Sequence, residues 1–188
     1  MFFDLDVYVA CALTNAPEES RQKVYRFQDA LAKICRVLRF LGLTEHTGRE
    51  TYNYDINGCV QKADLVVGVV DVGSSGLGWE LCYQCVVKKG PAIALAHVDN
   101  LSVTRFLWDP DVADYKLLRY KDLCTDGVEA VAEKLKKIQE AKDRQLVQMD
   151  RVRSKQPSQL SLFEEPGLQL VGSGVALHLA ATPAQAAA

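Results

Sequence analysis

The sequence lacks the features that mark several specialised classes of protein. No apolar run reaches the roughly 18 residues that predict a membrane span. Residues 1–9 contain no basic segment and no cleavage site, so they predict no signal peptide. The formal net charge of -2 is too balanced for bulk attraction to nucleic acid. We therefore expect a globular, cytoplasmic protein that contacts neither a membrane nor nucleic acid directly.

The cysteines supply neither a metal site nor a disulfide framework. Cys82 and Cys85 are the one close pair among six, and no second Cys or His pair stands at a spacing that completes a zinc site. A thioredoxin-type redox pair is one interpretation of this spacing. We favour the other, two small buried side chains on a helix. In a cytoplasmic protein the thiols are expected to stay reduced, so we predict no metal and no disulfide.

The pattern of apolar residues predicts one α/β domain and a tail. The alternation of strands and helices, with strands that read as continuous Val and Leu runs, favours a parallel sheet of about five strands between helices, in a flavodoxin- or Rossmann-like arrangement. No Lys or Arg follows Lys155, so we predict a domain over 1–153 and a flexible tail over 154–188. The predicted strands are 5–10, 43–45, 64–70, 91–96 and 115–120. The predicted helices are 18–41 (ended by Gly42), 55–62, 77–89 and 126–153.

The loop after the predicted strand over 64–70 is the strongest candidate for a site. Ligands of open parallel sheets bind beyond the carboxyl ends of the strands. Residues 71–80 read Asp-Val-Gly-Ser-Ser-Gly-Leu-Gly-Trp-Glu. This loop fails the dinucleotide fingerprint because Gly76-x-Gly78 is followed by Glu80 and Leu81, and it has no Gly-Lys-Ser/Thr of a P-loop. We therefore predict no cofactor.

Several acidic and aromatic side chains of this region have alternative interpretations. Glu80 is expected in the first turn of its helix, where the helix dipole favours an ionised carboxylate that can act as a nucleophile; the alternative is a Glu that only stabilises the helix. Asp71 is an alternative second carboxylate, whereas Asp64 is expected to be structural. Trp79 is either a core residue or a wall for base stacking. His46 and His97 are expected to be loop histidines.

Five segments together resemble the nucleoside 2-deoxyribosyltransferase family, and most closely its branch of 2′-deoxynucleoside 5′-monophosphate N-glycosidases. The resemblance covers about residues 5–135. The loop motif is moderately specific, and its position after a buried strand strengthens it. The segments are Tyr8 in the first strand, Leu43-Thr44-Glu45-His46, Asp55, Ala63-Asp64-Leu65-Val66-Val67, and Ser74-x-Gly76-x-Gly78-Trp79-Glu80.

The resemblance implies a reaction at C1′ of a deoxyribose. It assigns Glu80 as the nucleophile, Asp55 as the residue that orients the sugar and assists proton transfer, and Tyr8 as a contact of the sugar or the nucleophile. Cleavage through an oxocarbenium-like state and a covalent intermediate parallels retaining glycosidases. Hydrolysis of 2′-deoxynucleoside 5′-monophosphates is the expected activity. Transfer of deoxyribose between bases, and nucleotide binding without turnover by a clamp-associated adaptor, are the alternatives.

The substrate site implied by the resemblance departs from the family in one place. Family members have Gly and then Ser or Pro after the first strand, with an added Arg in the monophosphate branch, whereas this chain has Cys-Ala-Leu-Thr over 11–14. Thr14, Asn15 or Arg21 would have to replace that Arg. Ser102 matches a family serine that reaches the phosphate site of the neighbouring subunit, which implies a homodimer. The residues expected to bind substrate are Ser74, Gly76, Gly78, Trp79, Ser102 and Thr14.

The tail contains a short motif of its own. Residues 159–163 read Gln-Leu-Ser-Leu-Phe and resemble the peptide with which bacterial polymerases and repair proteins bind the DNA sliding clamp. Apolar anchors in a flexible polar segment suit a peptide that docks into a groove. The alternative is a stretch that folds back on the domain. The residues expected to bind the clamp are Gln159, Leu160, Leu162 and Phe163.

Overall fold

The computed structural model describes residues 2–43, 45–104, 107, 112 and 114–155. Within them, five strands form one all-parallel sheet in the order β2-β1-β3-β4-β5. The strands are β1 (Asp6–Cys11), β2 (Arg36–Leu38), β3 (Leu65–Val69), β4 (Ala92–His97) and β5 (Tyr115–Tyr120). This arrangement confirms the predicted α/β class with a flavodoxin-like parallel sheet.

In the described part of the chain, three α-helices connect strands and a fourth follows the last strand; three of the four have π-helical turns at one end. The α-helices are α1 (Glu18–Leu31), α2 (Gly48–Tyr52), α3 (Ser75–Cys82) and α4 (Val128–Lys155). π-Helical turns continue α2 over Asn53–Val60, continue α3 over Tyr83–Val87, and precede α4 over Leu123–Gly127. No helix in the described part of the chain is both long and apolar enough to cross a membrane. The first compact unit of the chain is Met1–Gln148, and the second is Met149–Ala188, of which the structure describes the end of α4.

The alternation of side chains along β1 divides the core between the two faces of the sheet. Val7 and Val9 belong to the cluster covered by α1 and α4, whereas Tyr8 and Ala10 belong to the cluster covered by α3 and the π-helical continuation of α2. All five residues of β3 are buried, as expected for a strand with helices on both sides. Polar side chains on the α2 and α3 face are therefore enclosed between helix and sheet.

Small residues on this face let α3 approach the sheet closely. Gly68 of β3 lies between Ala10 of β1 and Ala94 of β4 in the strand register. The side chain of Leu81 from α3 fills the space above Gly68, and a Cβ atom at that glycine would lie 2.9 Å from Leu81 Cδ1. The helix is thus seated close to the sheet, which brings the side chains of α3 within reach of β1.

Replacing Gly68 with Ala is expected to lower the free energy of unfolding by about 1–3 kcal/mol, because the added methyl overpacks the contact with Leu81. Denaturant unfolding measures this change. Gly48→Ala is the control, since nothing lies within 4 Å of a Cβ there and Ala is the better helix former. Equal stability of Gly68→Ala and the native chain would mean that Leu81 can move aside without cost.

The structure corrects the prediction of one helix over 18–41. Helix α1 ends at Leu31, the chain turns, and the second strand of the sheet is β2 at Arg36–Leu38 rather than the predicted 43–45, of which residue 44 lies outside the described residues. The apolar spacing of three and four misled the prediction, because Ile34 and Val37 pack on the same core cluster as α1 without being helical. Gly42 has a left-handed backbone (φ +84°), but it lies in the loop after β2 rather than at a helix end.

The helix predicted over 55–62 begins earlier, at Gly48. Thr47 caps it: its hydroxyl accepts the Glu50 N–H at 3.3 Å, and the Glu50 carboxylate accepts the Thr47 N–H at 2.8 Å. This reciprocal capping box is visible in the sequence as Thr-x-x-Glu. Asp55 therefore lies inside a helical segment rather than before it. The other predicted strands and helices agree with the structure within about three residues.

Candidate active site

A buried hydrogen bond between Tyr8 and Glu80 forms the centre of the candidate site. The Tyr8 hydroxyl donates to Glu80 Oε1 at 2.7 Å across 72 positions of sequence. Tyr8 is 1% exposed and Glu80 is 9% exposed. Tyr8 points from the middle of β1 toward α3, and the close seating of α3 on the small residues of the sheet brings the carboxylate to meet it.

The environment of Glu80 differs from the sequence prediction. Helix α3 begins at Ser75, so Glu80 lies in its second turn, and the expected first-turn position is wrong. Burial raises the pKa of Glu80 to about 7; the hydrogen bond from Tyr8 opposes the shift and the charge of Asp55 adds to it. The carboxylate is therefore divided between its neutral and ionised forms near neutral pH, rather than held ionised by the helix dipole.

Asp55 is the second carboxylate of the site. It is half-buried, and its Oδ1 accepts the Leu41 N–H at 3.3 Å. Burial raises its pKa, and the bond from Leu41 opposes that shift. Asp55 is close enough for its charge to raise the pKa of both Glu80 and Tyr8. The predicted trio of Tyr8, Asp55 and Glu80 is thus brought together by three separate elements.

Two neighbouring groups are held protonated beside these carboxylates. Burial, followed by the charges of Glu80 and Asp55, raises the pKa of Tyr8 far above its ordinary value. The same three causes raise the pKa of the Cys11 thiol, at the end of β1, to about 12. Tyr8 is therefore a hydroxyl donor throughout the neutral range, and its role toward Glu80 is to donate a hydrogen bond rather than to exchange a proton.

A groove of about 760 Å³ runs along the helical segment that carries Asp55, and its described lining includes none of Tyr8, Asp55 and Glu80. This groove was not predicted from the sequence. Its walls come from the end of β2 and the helical segment that follows it. The groove could not be predicted because the second strand was predicted at the wrong position. The capping box at Thr47, which the sequence does show, begins the helical segment that forms one wall. The lining includes Leu41, His46, Asn53, Tyr54 and Cys59.

The predicted substrate residues do not all gather around Glu80. Ser74, Gly78 and Ser102 line a separate, largely apolar cavity of about 610 Å³ whose described lining does not include Glu80. The Ser74 hydroxyl caps α3 by accepting the Leu77 N–H at 3.1 Å. The Ser102 hydroxyl donates to Asn100 Oδ1 at 2.8 Å. Gly76 occupies the first turn of α3.

The loop after β1 is held by Arg21. Its Nη1 donates to the carbonyl oxygens of Ala16 at 2.7 Å and Leu13 at 3.3 Å, and its Nε and Nη2 donate to Glu18. Thr14 is exposed in this loop. Arg21 therefore supports the loop, and the interpretation of Thr14, Asn15 or Arg21 as a phosphate contact stays a prediction.

Trp79, Asp71 and Asp64 lie outside the hydrogen bond between Tyr8 and Glu80. Trp79 is 59% exposed, so its interpretation as a core residue is wrong. Asp71 accepts bonds from the Tyr120 hydroxyl and from the His97 N–H, which places it in a different hydrogen-bond network from Glu80. Asp64, at the start of β3, accepts the Asp6 N–H at 2.9 Å and binds Lys142 at 2.6 Å.

The cysteine pair is partly as predicted. Cys85 is buried, but Cys82 is exposed, so the prediction of two buried side chains is wrong for Cys82. All six cysteines are free thiols. Across the described ranges of the chain, no group of three or more His, Cys, Asp or Glu side chains is placed to hold a metal ion.

Comparison with known proteins adds little to this picture. Neither a family model nor a curated protein matches the chain. Among solved structures, an NAD(P)H:quinone oxidoreductase from Methanothermobacter marburgensis is similar at 14% identity and a TM-score of 0.29. The match covers 50% of this chain and 66% of that one, which is just under two thirds of its length. This likeness has no bearing on activity, and the resemblance to the nucleoside 2-deoxyribosyltransferase family stays a prediction.

Proposed function

We propose that the chain hydrolyses the N-glycosidic bond of 2′-deoxynucleoside 5′-monophosphates, with Glu80 as the nucleophile. The observation that carries this proposal is the buried Tyr8–Glu80 hydrogen bond beside Asp55. A carboxylate held in one orientation by a neutral donor, with a second carboxyl group nearby, is the arrangement that a retaining glycosidase requires. The residue set also matches the one that the family resemblance implies.

In the first step the ionised Glu80 attacks C1′ of the deoxyribose. The bond between C1′ and the base nitrogen breaks, and its electron pair leaves with the base. Asp55 delivers the proton that neutralises the leaving base, so the reactive form is the one in which Asp55 holds the proton of the pair and Glu80 is ionised. Tyr8 holds the Glu80 carboxylate in the attacking orientation. The product of this step is a deoxyribosyl ester of Glu80 and a free base.

In the second step a water molecule attacks C1′ of the ester. The bond between C1′ and the Glu80 oxygen breaks, its electron pair returns to the carboxylate, and Asp55 accepts the proton of the water. The net products are deoxyribose 5-phosphate and free base. The groove along the helical segment that carries Asp55 has a volume within the range of about 300–1,000 Å³ that small-molecule sites occupy. In this proposal, its Asn53 and Tyr54 contact the edge and the face of the base.

A substrate panel tests this function. The purified chain is incubated with each 2′-deoxynucleoside and each 5′-monophosphate, and free base is measured by chromatography. We expect release from monophosphates and none with Glu80→Gln. Release from unphosphorylated nucleosides alone would overturn the phosphate requirement. Product nucleoside that forms only with added free base would identify a transferase, and binding without any release would identify an adaptor.

We further propose that the chain forms a homodimer through α3 and its continuation. Trp79, Val86 and Val87 are 59%, 55% and 62% exposed, respectively, which is unusual for large apolar side chains along one helical segment. Val86→Asp is expected to shift the sedimentation mass from dimer to monomer, because a charge would be buried in the interface. Val147→Asp, at an exposed position of α4, is the control. A monomeric native chain would overturn the proposal.

The clamp-binding motif lies outside the described residues. The interpretation of Gln159, Leu160, Leu162 and Phe163 as clamp contacts rests on the sequence alone and stays a prediction, as does the cytoplasmic location. If both hold, the proposed hydrolase would act near the replication machinery, where destruction of an abnormal deoxynucleotide protects the nucleotide pool.

A further inference from the structure

A second cavity, of about 250 Å³, lies at the carboxyl end of the sheet on the side of α1. Its apolar lining includes Cys11, Val24 and Val69, which belong to or pack against the core cluster under α1 and α4. Tyr8 lies on the opposite face of the sheet. The described lining of the cavity therefore includes neither Tyr8 nor Glu80, although Cys11 borders both regions. Its polar lining consists of Ser20, Lys23, Asp71, His97 and Asn100.

Two of these polar side chains are held against the same buried aromatic ring. The Lys23 ammonium lies 4.8 Å from the centroid of the Tyr120 ring. The His97 ring meets the Tyr120 ring edge-on, with centroids 5.5 Å apart and an interplanar angle of 78°. Tyr120 is itself almost fully buried, and its hydroxyl donates to Asp71. Contacts of these kinds stabilise a fixed orientation of each partner, so the cavity is built before any ligand binds.

The cavity presents hydrogen-bond donors that lack an acceptor. Among the residues that the structure describes, Lys23 has no carboxylate within ion-pair distance. His97 Nδ1 accepts the Asp99 N–H at 3.3 Å and lies 3.6 Å from the Asp99 carboxylate, so Nε2 is the ring nitrogen that remains as a donor. Both carboxylate oxygens of Asp71 already accept a hydrogen bond, one from the Tyr120 hydroxyl and the other from the His97 backbone N–H at 2.6 Å.

We propose that this cavity binds a small oxyanion, a phosphate or carboxylate group, through Lys23, His97 Nε2–H and the Ser20 hydroxyl. Charge-assisted donors of this kind favour such groups. The volume is below the range of about 300–1,000 Å³ that larger ligands require, so the cavity accommodates a group of phosphate size rather than a nucleotide. This site does not depend on the proposed hydrolase activity, since neither Glu80 nor Asp55 lines it in the described part of the chain.

The test uses the imidazole Cε1–H signals of the full chain in NMR spectra at constant pH, with His97→Gln to assign the signal. Inorganic phosphate and acetate are titrated separately against chloride at equal ionic strength. We expect the His97 signal, and not that of His46, to move saturably at millimolar phosphate or acetate. Saturation with either anion supports the site, and the anion that binds with the higher affinity identifies the ligand class as phosphate or carboxylate.

Two variants at one position separate binding from folding. Lys23→Met is expected to weaken the anion at least fivefold, whereas Lys23→Arg, which retains the charge, is expected to bind within about twofold of the native chain. Thermal unfolding checks that both variants fold. If Lys23→Met does not fold, Ser20→Ala is tested in its place. An identical shift with chloride, or unchanged anion binding in folded Lys23→Met or Ser20→Ala, would overturn the proposal.

Discussion

Replacing Glu80 with Gln is expected to lower the rate of base release by at least about 10³-fold, as removal of a nucleophile does in other hydrolases that form covalent intermediates. Gln keeps the shape of the side chain and an oxygen that accepts the Tyr8 hydroxyl. The neutral amide does not attack C1′. The loss should therefore appear in kcat with the fold intact. The measurement is single-turnover release of base from whichever monophosphate the substrate panel identifies.

Two matched variants sharpen this result. Glu133→Gln makes the same chemical change at an exposed position of α4, where Glu133 pairs with Lys137, and it should leave the rate unchanged. Tyr8→Phe removes the hydrogen bond but keeps the nucleophile, so a smaller loss of about tenfold is expected. Intact-mass spectrometry should detect a deoxyribosyl phosphate adduct on the native chain only. Full activity of Glu80→Gln would eliminate Glu80 as the nucleophile and the mechanism with it.

Above pH 7, Glu80→Gln is expected to have a free energy of unfolding about 3 kcal/mol higher than that of the native chain, because one pKa unit corresponds to about 1.4 kcal/mol. Burial raises the pKa of Glu80 from 4.5 to about 7 in the folded chain. Ionising a carboxylate in that enclosed position weakens the folded state relative to the unfolded one. Gln has no charge to bury, so the variant avoids this cost.

The direction of the pKa shift of Glu80 determines the pH range in which the stabilities of Glu80→Gln and the native chain differ. An acid with a raised folded pKa binds more protons when folded, so the contribution of Glu80 to the stability of the native chain is most favourable below pH 4.5 and falls as the pH rises toward about 7. Urea unfolding at pH 5 and pH 8 should show a small difference between Glu80→Gln and the native chain at the lower pH and a large one at the higher. Glu133→Gln should show no such gain, since Lys137 lowers the pKa of Glu133. A difference that does not change with pH would contradict the raised pKa of Glu80.

Much of the sheet follows from the sequence alone. The Val and Leu run of β3 is continuous because helices cover both faces of that strand, and this double burial is a local property of the sequence. The strand over 115–120 is predicted at the bounds that the structure gives it. The motif from Ser74 to Glu80 follows β3 and so lies at the carboxyl end of the sheet, where parallel sheets hold their sites.

Strand β2 is a feature that local pattern does not determine. Its three residues, Arg36–Leu38, are a strand because they pair with Asp6, Val7 and Tyr8 of β1. The apolar spacing through this region suits a helix equally well, and the choice is made by a partner some thirty positions away. The groove along the helical segment that carries Asp55 is formed partly by the end of β2. Because the position of β2 was not predicted, the groove was not predicted either.

The sequence by itself determined the class of fold and the position of the loop from Asp71 to Glu80 after β3. The assignment of Tyr8, Asp55 and Glu80 as site residues follows from the family resemblance and stays a prediction. The tertiary structure decided how those residues are ionised. Position along a helix suggested a charged Glu80, but the free energy of a charge depends on everything packed around it. The Tyr8 hydroxyl comes from 72 positions away, and α3 reaches it because Gly68 leaves room for Leu81. Burial and partners of that kind exist only once the chain has folded.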